Sequence, residues 1–219
     1  MEKTQSHKPI LIVLEGPAGV GKTTMQKFLH QSFSLKNVIV DSLPEFSSSK
    51  IGRLIEEHSY FKHKNPSWLL GINGLMIFLA DKVEVLENAQ YDKEKLWICD
   101  RFITTQYILG LKEIGDKRDN LFAKEIIQRV FDWSLEKISK QSVFIFLDST
   151  IDILQKRLEI RTKRNLTLQE LNNLEFEING YKNLANSIEA KNTFIVEANN
   201  SVSEIGNQIM KLIYSTWQQ

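Results

Sequence analysis

The stretch Gly16-Pro17-Ala18-Gly19-Val20-Gly21-Lys22-Thr23, followed by Thr24, fits the spacing G-x-x-x-x-G-K-[ST]. An unbroken aliphatic run, Pro9 to Glu15, precedes it, and a helical pattern from Lys22 to Ser32 follows it. A glycine-rich turn between a strand and a helix lets successive backbone N–H groups point inward, and the helix N-terminus adds positive potential. That arrangement cradles the phosphates of a nucleotide such as ATP, with residues 16 to 24 as the binding stretch. Lys22 is placed to reach the β and γ phosphates, and the Thr23 hydroxyl to bind Mg2+.

Working outward, four more runs read as buried strands: Val38 to Asp41, Leu96 to Asp100, Ser142 to Asp148 and Thr193 to Glu197. Continuous rather than alternating apolar runs belong to strands covered on both faces, as in a parallel sheet. Three of the five strands end in Asp and two in Glu, and open α/β sheets bind ligands at those carboxyl ends. Helical patterns separate them: Leu69 to Asn88, Asn120 to Lys140, Ile151 to Arg161, Leu168 to Glu189 and Val202 to Trp217. Ser47-Ser48-Ser49 reads as a loop. The alternation predicts one α/β domain over residues 1–219, with a five-stranded parallel sheet flanked by helices in the P-loop NTPase fold.

The 219 residues carry 28 Lys+Arg against 27 Asp+Glu, a net charge of +1, with 42% hydrophobic residues. This balance excludes a disordered chain and gives no general reason for a nucleic-acid polymer or a membrane as partner. Cys99, the one cysteine, sits in a buried-strand pattern and leaves no disulfide framework or cysteine-based zinc site. His7, His30, His58 and His63 form no metal constellation. No apolar run approaches the ~20 residues of a membrane span, and Met1 to Lys8 lacks the apolar core of a signal peptide, so a cytoplasmic protein is expected. After the fourth strand stands Leu147-Asp148-Ser149-Thr150, not the Asn-Lys-x-Asp of a guanine-specific site.

Beyond the loop the chain resembles the thymidylate kinases and the wider thymidylate-kinase-like nucleoside monophosphate kinases. Glu15 to Thr24 is close to E-G-x-D-G-x-G-K-T-T, and Phe78-Leu79-Ala80-Asp81-Lys82 is similar to F-A-A-D-R. Trp97-Ile98-Cys99-Asp100-Arg101-Phe102 is similar to a strand followed by D-R-Y, and Gly180 to Ala185 to a G-Y-x-x-L-A stretch. Leu147-Asp148 with Arg157, Arg161 and Arg164 is similar to the start of a short lid, at about 157–170. The resemblance implies transfer of the γ-phosphate of ATP, with Mg2+, to a small nucleotide, first of all dTMP. It implies Asp100 near the metal, Lys82 on the acceptor phosphate, Arg101 on the acceptor phosphate or the transferring group, and Phe78 under the acceptor base. Arg157 and Arg161, four apart on one helix face, could close over the phosphates as an internal arginine finger. Plainer readings stand beside these: a strand-end ion pair for Asp100-Arg101, a solvated basic face for the arginines, and core packing for Phe78. The helix from Leu69 to Asn88 could pair across a homodimer or be buried within one chain.

Three departures bear on the acceptor. Ala18 stands where the family has an aspartate that contacts the acceptor sugar. The stretch usually read as R-E-P-G-G is Ser42-Leu43-Pro44-Glu45-Phe46, so Glu45 supplies an acid one place after the proline. Thr104 to Gly110 replaces Ser-Ser…Tyr-Gln. Either Gln106 carries the amide that reads the base, or thymine is not read. Two other functions therefore remain open. A deoxynucleoside kinase would use Asp41 or Glu45 as base toward a hydroxyl. A P-loop nucleotide sensor would bind ATP without transfer.

Overall fold

The computed structural model describes residues 11–60, 71–88, 95–115, 121–138, 142–188 and 192–217. Pro9, Ile10, Leu69, Leu70, Asn120, Ser139, Lys140 and Glu189 at the ends of predicted elements lie outside these, as do His7 and His63. The chain divides into two compact units. One comprises Met1–Ser42, Tyr91–Asp100 and Ser139–Gln219; the other comprises Leu43–Gln90 and Arg101–Ile138.

The first unit carries the sheet. Its strands are β1 (Leu11–Glu15), β2 (Val40–Leu43), β3 (Leu96–Asp100), β4 (Ser142–Asp148) and β5 (Thr193–Glu197), in the order β2-β3-β1-β4-β5. β1 pairs in parallel with β3 and β4, and β4 with β5, so the sheet is the five-stranded parallel one expected for a P-loop kinase fold. The connection after β1 runs toward one edge of the sheet, to β2, and the one after β3 toward the other, to β4. This puts the ligand-binding switch point at the carboxyl ends of β1 and β3. Helices α1 (Lys22–Ser34), α6 (Ile151–Thr162), α7 (Leu168–Ser187) and α8 (Val202–Trp217) belong to the same unit. Ile12 and Leu14 of β1, Leu29 and Phe33 of α1, Ile145 of β4 and Ile209 and Ile213 of α8 share one core, all fully or almost fully buried. Each such side chain contributes roughly 1.5–3 kcal/mol by leaving water.

The second unit holds α2 (Lys50–Tyr60), α3 (Gly71–Asn88), α4 (Ile103–Ile114) and α5 (Leu121–Ile138). Ile55, Leu79, Ile103, Ile108 and Ile127 are buried in it, and Tyr107 stacks on Phe131 at 4.4 Å between ring centroids. Burial, followed by the negative charge of Asp132, raises the Tyr107 pKa.

Three expectations change. β2 runs over Val40–Leu43, not Val38–Asp41, because the turn off α1 consumes the preceding residues. Asn37 adopts a left-handed φ of 57°, and Val38 N–H is taken by the Phe33 carbonyl at 3.1 Å. The helices α2 and α4 appear where no helix was predicted. α1 and α6 extend to Ser34 and Thr162, slightly beyond their predicted ends.

Candidate active site

The phosphate loop is built by the first unit. At Gly16 φ is 140°, and a Cβ there would come within 2.4 Å of the Leu147 carbonyl oxygen, so only glycine lets the chain leave β1 beside β4. Lys22, the first residue of α1, is buried and donates its ammonium to the carbonyls of Gly16 at 2.6 Å and Pro17 at 3.0 Å. The loop's own carbonyls thus hold the cation over the cradle. Thr23 Oγ1 donates to Asp100 Oδ2 at 2.7 Å. These two residues meet because Leu14 and Asp100 are register partners at the ends of the neighbouring strands β1 and β3.

Asp100 Oδ1 is buried and has no hydrogen-bond partner among the described residues. A desolvated carboxylate oxygen left unpaired is costly, and a divalent cation is a group that would satisfy it. Thr23 and Asp100 therefore fit Mg2+.

Three further features flank the loop. The backbone N–H of Ala18 donates to Glu177 Oε2 on α7 at 2.9 Å, so a carboxylate stands on a donor of the phosphate loop itself. A cavity of about 230 Å3 opens beside the loop, lined by Gly19, Gly21, Thr24, Arg157, Ala198 and Asn200 among others. Arg157 is held there by the carbonyls of Val20 at 3.3 Å and Ala198 at 2.8 Å. Arg161 is exposed and makes no hydrogen bond or ion pair among the described residues.

The connection from α6 to α7 is braced internally. Arg164 grips both oxygens of Glu170, at 2.9 and 2.5 Å, and Glu170 closes a capping box with Thr167. The bond from Arg164 first, and those from Thr167 next, lower the Glu170 pKa to about 2. The side-chain bond from Gln155, then the Leu166 N–H, lower that of Glu159.

The second unit gathers a different set. Arg101 follows Asp100 directly and carries a φ of 71°, a left-handed conformation rare for a residue with a side chain. Its Nε lies 4.0 Å from Glu45 Oε1. Lys82 is 3% exposed and donates to the Glu45 carbonyl, and also to the Arg101 carbonyl at 3.4 Å. The Phe78 and Phe46 rings stand 6.2 Å apart. Gln106 is buried on α4, and its Oε1 has no partner among the described residues. The structure thus brings Glu45, Lys82, Arg101 and Phe78 into one neighbourhood.

Residues 12–217 match the deoxynucleoside kinase family. The chain belongs to that family. This kinase of nucleosides or nucleotides is also 24% identical to the thymidylate kinase of Aster yellows witches'-broom phytoplasma (strain AYWB), over 95% of this chain and 99% of that protein. It is 24% identical to the thymidylate kinase of Malacoplasma penetrans (strain HF-2), over 95% and 97%, respectively. The figure is 23% for the thymidylate kinase of Finegoldia magna (strain ATCC 29328 / DSM 20472 / WAL 2508), over 93% and 97%. The deoxynucleoside kinase family implies ATP as phosphate donor and usually Mg2+. Among the described residues no helix is long and apolar enough to cross a membrane.

Sequence reasoning missed Glu177 and Asn200, and gave no role to Asp81 and Ser47. Glu177 lies 159 residues from its partner Ala18, a separation that leaves no local pattern to read.

Proposed function

We propose that this kinase transfers the γ-phosphate of ATP to a deoxynucleoside monophosphate, dTMP first, giving the diphosphate and ADP. The observation that carries the choice of acceptor is the convergence of two cations on one residue, Lys82 on the Glu45 backbone carbonyl and Arg101 on the Glu45 carboxylate. A monophosphate brings negative charge to match them and is itself the nucleophile, so it needs no strong general base. The full-length likeness to thymidylate kinases supports the same acceptor.

Phosphoryl transfer is mainly positioning and charge neutralisation. Lys22 and the loop N–H groups hold the β and γ phosphates, and the cavity beside Arg157 takes the rest of the donor nucleotide. Thr23 and Asp100 would hold Mg2+, which when bound supplies further neutralisation of phosphate charge. Phe78 stacks the acceptor base, Gln106 offers its amide oxygen, which has no partner among the described residues, to a base donor, and Lys82 and Arg101 hold the acceptor phosphate. The segment around 157–170 acts as the lid, in which Arg161 is exposed and makes no hydrogen bond or ion pair among the described residues.

A second reading has its own observation. The Glu45 carboxylate 4.0 Å from Arg101 could take the proton of a nucleoside hydroxyl, as the family's description suggests. ADP release measured with ATP, Mg2+ and a panel of monophosphates and free nucleosides separates the two. Turnover with dTMP is the expected result. Turnover only with nucleosides makes Glu45 the base and overturns the monophosphate reading, and ATP binding with no turnover on the whole panel leaves a nucleotide sensor.

A further inference from the structure

Residues 45–49 carry the acid and one aromatic of the proposed acceptor site, yet they lie in the irregular stretch between β2 and α2. What holds them is α3. Asp81 is 1% exposed, and both of its oxygens accept the Ser47 N–H at 3.2 Å. Its Oδ1 also accepts the Ser47 hydroxyl at 2.5 Å. One position along, Lys82 grips the Glu45 carbonyl. Neighbouring helix residues point ~100° apart, so the two side chains seize the segment at separate points, two residues from each other.

The tie continues into α2. Ser47 Oγ accepts the Ser49 N–H at 3.3 Å, and Ser49 Oγ accepts the N–H groups of Ile51 and Gly52 at 3.2 Å each. Gly52 leaves room for the assembly. A Cβ there would stand 2.1 Å from the Ser47 carbonyl oxygen, 2.6 Å from Ser47 Oγ and 2.7 Å from Asp81 Oδ1. A buried carboxylate is costly unless hydrogen-bonded, and three bonds to one serine are more than a single packing contact requires.

We propose that Asp81, acting through Ser47, is a positioning residue for acceptor binding: it sets where the Glu45 carboxylate and the Phe46 ring stand, and touches neither substrate itself. The proposal rests on the acceptor reading above. It separates donor from acceptor: loosening the tie weakens acceptor binding and leaves ATP binding as it was.

The test compares wild type with Ser47→Ala and, as a second variant, Asp81→Asn. Steady-state kinetics with dTMP, MgATP calorimetry and amide exchange over residues 45–49 are measured on each. Losing a hydrogen bond to a charged group predicts a roughly tenfold rise in the KM for dTMP, with kcat within about threefold and an unchanged Kd for ATP. Exchange over 45–49 should quicken by a similar factor. Unchanged exchange in both variants overturns the tie. Faster exchange with an unchanged acceptor KM overturns the positioning role and leaves a structural one. A Kd for ATP that rises in step with the acceptor KM also overturns it. If wild type uses thymidine and not dTMP, the monophosphate reading fails by itself, and the same split with thymidine as acceptor upholds the tie.

Discussion

The phosphate loop and the acceptor segment 45–49 are both irregular stretches that follow a strand, but they are held in opposite ways. Lys22 is fixed by carbonyls five and six residues away. Ser47 and Glu45 are fixed by Asp81 and Lys82, 34 and 37 residues away. The first stretch carries most of its geometry in its own sequence and is built for a group that every nucleoside triphosphate shares. The second borrows its geometry from a helix, so under the proposed function a change at Asp81 retunes the acceptor site without touching an acceptor-binding residue. Under the proposed function, donor recognition is locally encoded and acceptor recognition is distributed.

That contrast can be broken by substitution, and the largest effect belongs to the loop. Lys22→Ala should lower turnover by about 1,000-fold or more, with the far-ultraviolet circular dichroism unchanged. A rate near that of wild type would dismiss the loop as the donor site. Asp100→Asn removes the charge beside Thr23 and should cost about 100-fold in kcat while raising the Mg2+ concentration needed for half-maximal rate. Gly52→Ala forces a methyl against Ser47 and should raise the acceptor KM more than Ser47→Ala does. Equal loss of ATP affinity would erase the distinction between the two stretches.

A smaller effect tests how self-contained the loop is. The Glu177 carboxylate on the Ala18 N–H competes with an incoming phosphate for the same donor. Glu177→Ala should tighten MgATP binding by about tenfold and lower the Tm of the nucleotide-free enzyme, opposite signs that follow from a contact made only before ATP arrives.

The smallest effect lies between α6 and α7. Glu170, held at about 2 against an ordinary 4.5, contributes stability that is complete above about pH 4.5 and lost as pH falls toward 2. Its titration by carboxyl NMR should show a midpoint near 2, moving up toward 4.5 in Arg164→Ala.

The same division between local and distant contacts explains what could be read from the sequence. β3, β4, β5 and α8 have the bounds predicted, because each announces itself by a continuous apolar run or a helical period. β2 was displaced by two residues because the Asn37 turn is a backbone event with little side-chain signature. α2 and α4 do carry apolar positions at helical spacing, Ile51, Leu54 and Ile55 in the first and Tyr107, Ile108, Leu111 and Ile114 in the second. Each begins directly after loop-like serines or a strand-end motif that masks its start. At the site, Lys22, Thr23 and Asp100 come together on the spacing of a strand, a loop and a helix. Of the basic cluster, Arg157 lines the cavity and Arg164 is committed to Glu170, a sorting that helix spacing does not show. Glu177 on Ala18 and Asp81 on Ser47 depend on which distant elements become neighbours, and no stretch of sequence records that.

Arg101 has one more consequence. Its left-handed backbone costs on the order of 1–3 kcal/mol that glycine would not. Arg101→Gly would relieve that strain, at the cost of the guanidinium beside Glu45 and of a more flexible unfolded chain. Under the proposed function, backbone comfort and acceptor chemistry pull this one codon in opposite directions.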